Sequence, residues 1–239
     1  MDEKVGCEKC DHTGWVETPE GMAKCECLKR SQERRKYALF RQRSGLVGRL
    51  TEKTFENYRP LTPSQRRALE VATKGGSFYL YGDWGVGKTH LLAASVNEAL
   101  KRGQEASLVS VPWLLQAIRD DVVSGGNNGD GSKYDLFRLA CEIPYLALDD
   151  LGKEKVTDFV KEKIFMVFDV REINGLRTSV SSNLDPNVLY NDDIVDPAVL
   201  SRIRGMCGPE SIIEVQGRDY RQHGPTKPEV VKPVRTMVK

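Results

Sequence analysis

The chain has 239 residues, 39% of them apolar and 29% charged, and a formal net charge of +2. This composition fits a soluble globular protein of one or two domains, and the near-balance of charge carries no global sign of a nucleic-acid binder. No stretch approaches the roughly 18 apolar residues of a membrane helix, and the opening MDEKVGCEKC lacks the apolar run of a secretory signal, so the reading is cytoplasmic with no membrane partner.

In that compartment disulfides are rare, so the six cysteines need another explanation; four of them fall within the first 27 residues. Residues 1–28 are rich in Cys and Gly and poor in large aliphatics, and such a segment buries little core unaided. Residues 29–50 read as a basic helix ending near Gly45 and Gly48. Its Lys29, Arg30, Arg34, Arg35, Lys36, Arg41 and Arg43, with Arg49 just beyond, are set against Glu33.

From residue 51 the pattern changes. Thr62-Pro63-Ser64-Gln65 opens a helix: Thr62 caps, Pro63 suits the first turn and Gln65 completes a capping box. Ala68, Leu69, Val71 and Ala72 supply its apolar face until Gly75-Gly76 stops it. Residues 77–81 read as a short buried strand, 90–101 as a helix ended by Gly103, 106–111 as a strand and 112–122 as a helix. Residues 124–133, SGGNNGDGSK, form a flexible loop. A buried strand at 145–149, a long helix at 156–173, a strand at 178–182, a helix at 197–204 and a last strand at 211–215 follow. The tail beyond 222 holds three prolines and no apolar periodicity, and reads as disordered. Strands separated by helices predict a parallel three-layer α/β/α sheet. The chain thus divides into 1–50, a small module with a basic helix, 51–222, the α/β core, and 223–239, a flexible tail.

Gly82-Asp83-Trp84-Gly85-Val86-Gly87-Lys88-Thr89 matches GxxxxGK[ST] and sits between a predicted strand and a predicted helix. Glycines let backbone N–H groups turn inward around phosphate oxygens. The helix that follows offers its positive end to the same anion. Lys88 reaches the β- and γ-phosphates of ATP, Thr89 gives a hydroxyl to Mg²⁺, and His90 is counted with the loop. The other half of such a site is an acid ending a buried strand. Asp149 and Asp150 follow Ile143–Leu148: Asp149 would hold Mg²⁺, and Asp150 would position or deprotonate the attacking water. Acids there could instead cap the next helix. Asn183 ends the next strand and could orient the lytic water, although Asn is also an ordinary turn residue.

Cys7-x2-Cys10 and Cys25-x-Cys27 are two close thiolate pairs with Gly6, Gly14 and Gly21 nearby. Such pairs close a tetrahedral Zn²⁺ site, and in so short a segment the metal would supply much of the folding energy. Four unligated thiols or a redox pair are the alternatives, and His12 could replace one cysteine. Cys141 and Cys207 are isolated and read as core residues.

Taken together, residues 51–221 resemble the DnaC/DnaI-type replicative helicase loaders and their IstB relatives among the AAA+ ATPases. The residues that carry this are Phe55-Glu-Asn-Tyr58, Gln65, Ala68-Leu69, Tyr81–Leu92, Val111-Pro112, Leu114-Leu115, Leu148-Asp-Asp-Leu-Gly152, Ser182-Asn183-Leu184, Ser201-Arg-Ile-Arg204 and Gly217-Arg-Asp-Tyr-Arg221. The N-terminal Cys-x2-Cys…Thr-Gly-Trp-Val…Cys-x-Cys is similar to zinc modules fused to some of these loaders. The resemblance implies a AAA+ core. Only 35 residues follow Arg204, too few for a helical lid. It implies that Arg202 is an arginine finger completing the ATP site of a neighbouring subunit, with Arg204 as the alternative, that Arg221 senses nucleotide in cis, and that Phe55–Tyr58 lie near the adenine. It implies an ATPase that loads a DnaB-type replicative helicase onto single-stranded DNA and self-associates through its ATP sites. Asp150 stands where many AAA+ enzymes carry Glu, which implies slow hydrolysis, and the sensor strand ends Ser-Ser-Asn rather than Thr-Ser-Asn. The competing expectations are an IstB-type transposition helper acting on duplex DNA, a small-molecule kinase, and a zinc-dependent DNA-binding module with a decaying ATPase. The 124–133 loop is too short to be a kinase lid, and intact Lys88, Thr89 and Asp149 argue against decay.

Overall fold

The computed structural model describes residues 7–11, 13–123, 136–153, 157–191 and 195–223. His12, the 124–133 loop and the tail from residue 224 lie outside the described residues. Among those described, no helix is long and apolar enough to cross a membrane.

The N-terminal module is a 3-10 turn at Glu8–Cys10, an antiparallel hairpin of β1 (Trp15–Thr18) and β2 (Gly21–Lys24), and helix α1 (Glu26–Arg43). Both strands of the hairpin leave most side chains exposed or half-buried, so the period-2 signal that marks a strand is missing from the sequence. Helix α1 ends at Arg43, two residues before Gly45, and a 3-10 turn follows at Gly48–Glu52.

The core holds α2 (Pro63–Thr73), β3 (Phe78–Tyr81), α3 (Lys88–Lys101), β4 (Ala106–Ser110), α4 (Val111–Val123), α5 (Leu136–Glu142), β5 (Tyr145–Leu151), α6 (Asp158–Ile173), β6 (Arg177–Ser182), α7 (Pro186–Asn191), α8 (Pro197–Cys207), β7 (Ile212–Glu214) and α9 (Tyr220–His223). Helices α5 and α7 are not visible as periodic runs in the sequence; each is under two turns. The five core strands pair in parallel in the order β4-β5-β6-β3-β7. The strand that precedes the phosphate loop, β3, therefore does not touch β5, which bears the acids; β6 lies between them.

Alternation along the strands sends neighbouring side chains to opposite faces. Phe78, Leu80, Tyr145 and Ala147 join a core with α2 and α3, while Tyr79, Leu146, Leu148 and Val180 join one with α4, α5, α6 and α8. These two cores are the outer interfaces of the three layers. Cys141 lies buried in the second core and Cys207 packs against it half-buried, as expected of core thiols. After α8, the described residues hold only a 3-10 turn, β7 and the four-residue α9, with no helical lid.

The end of α1 seals the outer edge of the sheet. Leu108 N–H on β4 donates to the Ser44 carbonyl at 2.8 Å, so an otherwise open edge is covered. Gly45, at φ +65°, makes the approach possible: a Cβ there would lie 2.1 Å from the Leu108 carbonyl oxygen. Asn97 of α3 donates to the carbonyls of Leu50 and Lys53 at 3.2 and 2.7 Å and accepts from Arg41. The linker is thus bonded to the helix that follows the phosphate loop.

Candidate nucleotide site and cysteine cluster

Strand β3 delivers residues 82–87 to the C-terminal edge of the sheet, and α3 begins at Lys88. Gly87 has φ +103°, and a Cβ there would strike the Tyr58 ring at 2.8 Å. The turn is thus closed by an aromatic from the linker, which also meets His90 edge-on at 5.1 Å. His90 Nε2 lies 3.0 Å from the Thr54 carbonyl oxygen. Burial holds the imidazole below its ordinary pKa.

Lys88 Nζ donates to the carbonyls of Gly82 and Asp83 at 2.6 and 2.7 Å and to Asn183 Oδ1 at 3.0 Å. Burial pushes its pKa down to about 8, against the opposing pull of Asp149 and Asp150. Thr89 Oγ1 donates to Asp149 at 2.9 Å, and Ser181 of β6 donates to the same carboxylate. Burial raises the Asp149 pKa, and these two hydroxyls oppose the rise. Asp150 stands at φ +65°, its N–H on Ser181 Oγ at 3.2 Å and its carboxylate 2.7 Å from Lys153 Nζ. The ends of β3, β5 and β6 thus bring Lys88, Thr89, Asp149, Asp150 and Asn183 to one place. A lysine, a hydroxyl, a buried carboxylate and a second, half-exposed carboxylate form a set able to hold a polyphosphate with its divalent cation and to accept a proton from water.

Lys88, Thr89, Asp150 and Asn183 line a cleft of about 760 Å³ whose far wall is Arg49, Leu50, Asn57, Tyr58, Arg59 and Tyr220, and Asp149 lies buried behind Thr89. Tyr58 rather than Phe55 forms the wall; Phe55 packs half-buried against the α2–α3 core. Trp84 projects from the loop, 63% exposed. Arg221 also lines the cleft.

Two braces on the loop escape sequence reasoning. Gln65 is fully buried. Its side-chain oxygen accepts from the N–H groups of Leu61 and Thr62 at 2.7 and 3.1 Å, while its nitrogen donates to the Val86 carbonyl at 3.1 Å. The capping box foretold the first role; the second depends on a loop 21 residues away. From the other end of the chain, Tyr220 N–H donates to the Gly85 carbonyl at 3.1 Å and its hydroxyl donates to the Arg59 carbonyl.

Arg202 is not among the residues lining this cleft. It sits on α8, facing α6. Nε donates to Asp169 Oδ1 at 3.1 Å, Nη2 donates to the same oxygen, and Nη1 donates to the Ala198 carbonyl at 3.1 Å. Arg204 is exposed and donates to Asn187 Oδ1 at 2.9 Å.

The four N-terminal sulfurs converge. Cys7, Cys10, Cys25 and Cys27 have their Sγ atoms all within 4.8 Å of one another, with Cys7–Cys25 at 3.8 Å and Cys10–Cys27 at 3.4 Å. Four sulfurs at Zn–S distances of about 2.3 Å stand about 3.8 Å apart along tetrahedral edges, so the cluster fits Zn²⁺. Gly14 N–H donates to Cys10 Sγ at 3.3 Å. Cys25 and Cys27 stand at the start of α1. A hydrogen bond with Cys27 lowers Cys7 to about 7, and one with Cys10 raises Cys27 to about 12.

Strand order, phosphate loop and paired acids define a P-loop protein of the AAA+ class. No family model matches the chain. The replicative helicase loader DnaI of Bacillus subtilis is 32% identical over 117 residues, 48% of this chain and 36% of DnaI. The match thus spans about a third of that relative's length. The replicative helicase loader DnaC of Escherichia coli is 26% identical over 193 residues, 77% of this chain and 76% of DnaC. Among solved structures, DnaI superposes with a TM-score of 0.60 at 23% identity, over 77% of this chain and 98% of that one. AMPPCP-bound DnaA from Aquifex aeolicus superposes with a TM-score of 0.58 at 24% identity, over 72% and 51%. The chain is thus similar in sequence to the DnaC/DnaI-type helicase loaders and shares the fold of the solved DnaI and DnaC structures.

Proposed function

We propose that the chain is an ATP-dependent loader of a DnaB-type replicative helicase onto single-stranded DNA, active in self-associated form. The observation that carries this reading is the junction of sequence similar to DnaC and DnaI with a nucleotide-type site: Lys88, Thr89, Asp150 and Asn183 in one cleft, with Asp149 bonded to Thr89 behind it.

In this reading phosphate oxygens of ATP replace the Gly82 and Asp83 carbonyls as acceptors for Lys88. Thr89 and Asp149 would hold Mg²⁺, which supplies neutralisation of charge on the β- and γ-phosphates. Asn183 orients water. Water oxygen attacks the γ-phosphorus, Asp150 takes the proton, and the bond to the β-phosphate oxygen breaks with its electron pair going to ADP. Tyr58, Asn57 and Arg59 receive the base end of the nucleotide. Arg202 stabilises γ-phosphate charge in a neighbouring copy. The cysteine cluster would hold one Zn²⁺, which supplies the cross-link that a module with few buried side chains lacks, and residues 7–43 dock the helicase.

The test is capture of a DnaB-type helicase by the full chain with ATP. Capture that falls away in the Cys7→Ser, Cys25→Ser variant, while that variant still binds ATP, supports the reading. Failure of the intact chain to retain the helicase, with retention of a transposase on duplex DNA instead, would replace it by the IstB-type reading.

A further inference from the structure

Two arginines leave α8 two residues apart, and their surroundings differ. Arg204 is exposed with one side-chain acceptor, Asn187. Arg202 is gripped. Its Nε and Nη2 share Asp169 Oδ1, Nε also lies 3.5 Å from Glu172 Oε2, and Nη1 reaches back to Ala198. The guanidinium lies over the Phe165 ring, 4.5 Å from its centroid. Asp169, Glu172 and Phe165 all belong to α6, whose inner face packs on α8.

The chemistry of the grip matters more than its strength. A guanidinium is planar, with a side edge made by Nε and one terminal nitrogen and an end made by the two terminal nitrogens. Asp169 occupies the side edge. Among the described residues, the second hydrogen on each terminal nitrogen has no protein acceptor. One N–H on each terminal nitrogen is thus left to meet the oxygens of a phosphate. The side chain keeps 21% of its surface exposed. A free arginine loses rotamer freedom when it meets an anion; one held on two sides and stacked on a ring has already lost it.

We propose that Asp169 is a positioning residue for Arg202: it holds the guanidinium by its side edge and presents its end to the γ-phosphate of ATP in an adjacent copy. Phe165 fixes the plane of the guanidinium. The inference rests on the reading of Arg202 as a finger acting in trans.

Asp169→Asn keeps shape but weakens the grip. Assembly-stimulated ATP hydrolysis should fall about tenfold, chiefly in kcat, with ATP binding by the isolated chain unchanged. Asp169→Glu should restore part of the loss. In an Arg202→Ala background, Asp169→Asn should cost nothing further, because Asp169 acts only through Arg202. A gain in hydrolysis on Asp169→Asn would make Asp169 a restraint and overturn the proposal. So would full activity, or a loss that adds to that of Arg202→Ala. Thermal melting of each variant separates these results from unfolding: a loss of activity that Phe165→Leu and Asp169→Glu do not share, and that tracks a lowered melting temperature, also counts against it. If Arg202→Ala itself leaves assembly and hydrolysis intact, the finger reading fails first and is recognised as such.

Discussion

The module at residues 7–28 and the core beyond residue 54 keep their shapes by different means. The core closes apolar surface on both faces of a five-stranded sheet. In the module the buried side chains among the described residues are Cys10 and Cys25, so with the proposed Zn²⁺ its order would rest on sulfur. One region should then tolerate the loss of any single polar contact at a cost of a few kcal/mol, and the other should depend on one cluster. The two are joined through α1, whose end is built into the sheet edge at Gly45. Removing what holds one region should therefore leave the other standing.

The largest effect should come from the sulfurs. Purified without chelator, the chain should carry about one Zn²⁺, and the Cys7→Ser, Cys25→Ser variant none. Limited proteolysis should then open residues 7–28 while ATP binding persists. A zinc content near zero in the intact chain, or zinc kept by the variant, breaks the comparison. The converse change is Lys88→Ala, which removes the charged donor of the phosphate loop, whose other phosphate donors would be backbone N–H groups. ATP binding should weaken by about 100-fold, with zinc unaffected, as followed with a fluorescent ATP analogue.

Smaller effects probe the joints. Gly45→Ala puts a methyl against the Leu108 carbonyl at a left-handed φ, and should lower stability by about 2 kcal/mol in denaturant melts. Gln65→Leu leaves the Val86 carbonyl and two N–H groups without their partner, and should cost about 2 kcal/mol and weaken ATP binding.

The pH dependence is the mildest test. Burial holds the Lys88 pKa down to about 8 in the nucleotide-free protein, below its unfolded value, so stability of the free protein should rise as pH climbs from 8 toward the ordinary lysine range. ATP binding needs the protonated amine, so affinity should fall over the same interval, by up to about tenfold per pH unit. Calorimetry and binding titrations across pH 7–10 should show opposite slopes; parallel slopes would remove Lys88 from the account.

The sequence showed the phosphate loop, the acids and Asn183 because each lies at a strand end, where an apolar run stops at a polar residue. The alternation of strand and helix was equally plain. The hairpin at 15–24 was hidden because its side chains are mostly exposed or half-buried, and α5 because seven residues carry too few turns to show a period. Contacts between distant segments left no local trace: the Gln65 brace on Val86, the Tyr220 bond to Gly85, and the Asp169 grip on Arg202, 33 residues apart.

In the proposed function the chain uses ATP to place a helicase on single-stranded DNA. The direct measurement is unwinding by a DnaB-type helicase on a closed single-stranded circle bearing an annealed strand, where no free end allows threading. Unwinding should require the chain and ATP together, and should be lost with Lys88→Ala and with Arg202→Ala. A mixture of the two variants should recover part of it, because each supplies the half-site the other lacks. Unwinding that proceeds without the chain's ATP site, or a mixture that stays silent although both variants fold and co-assemble, would contradict the account.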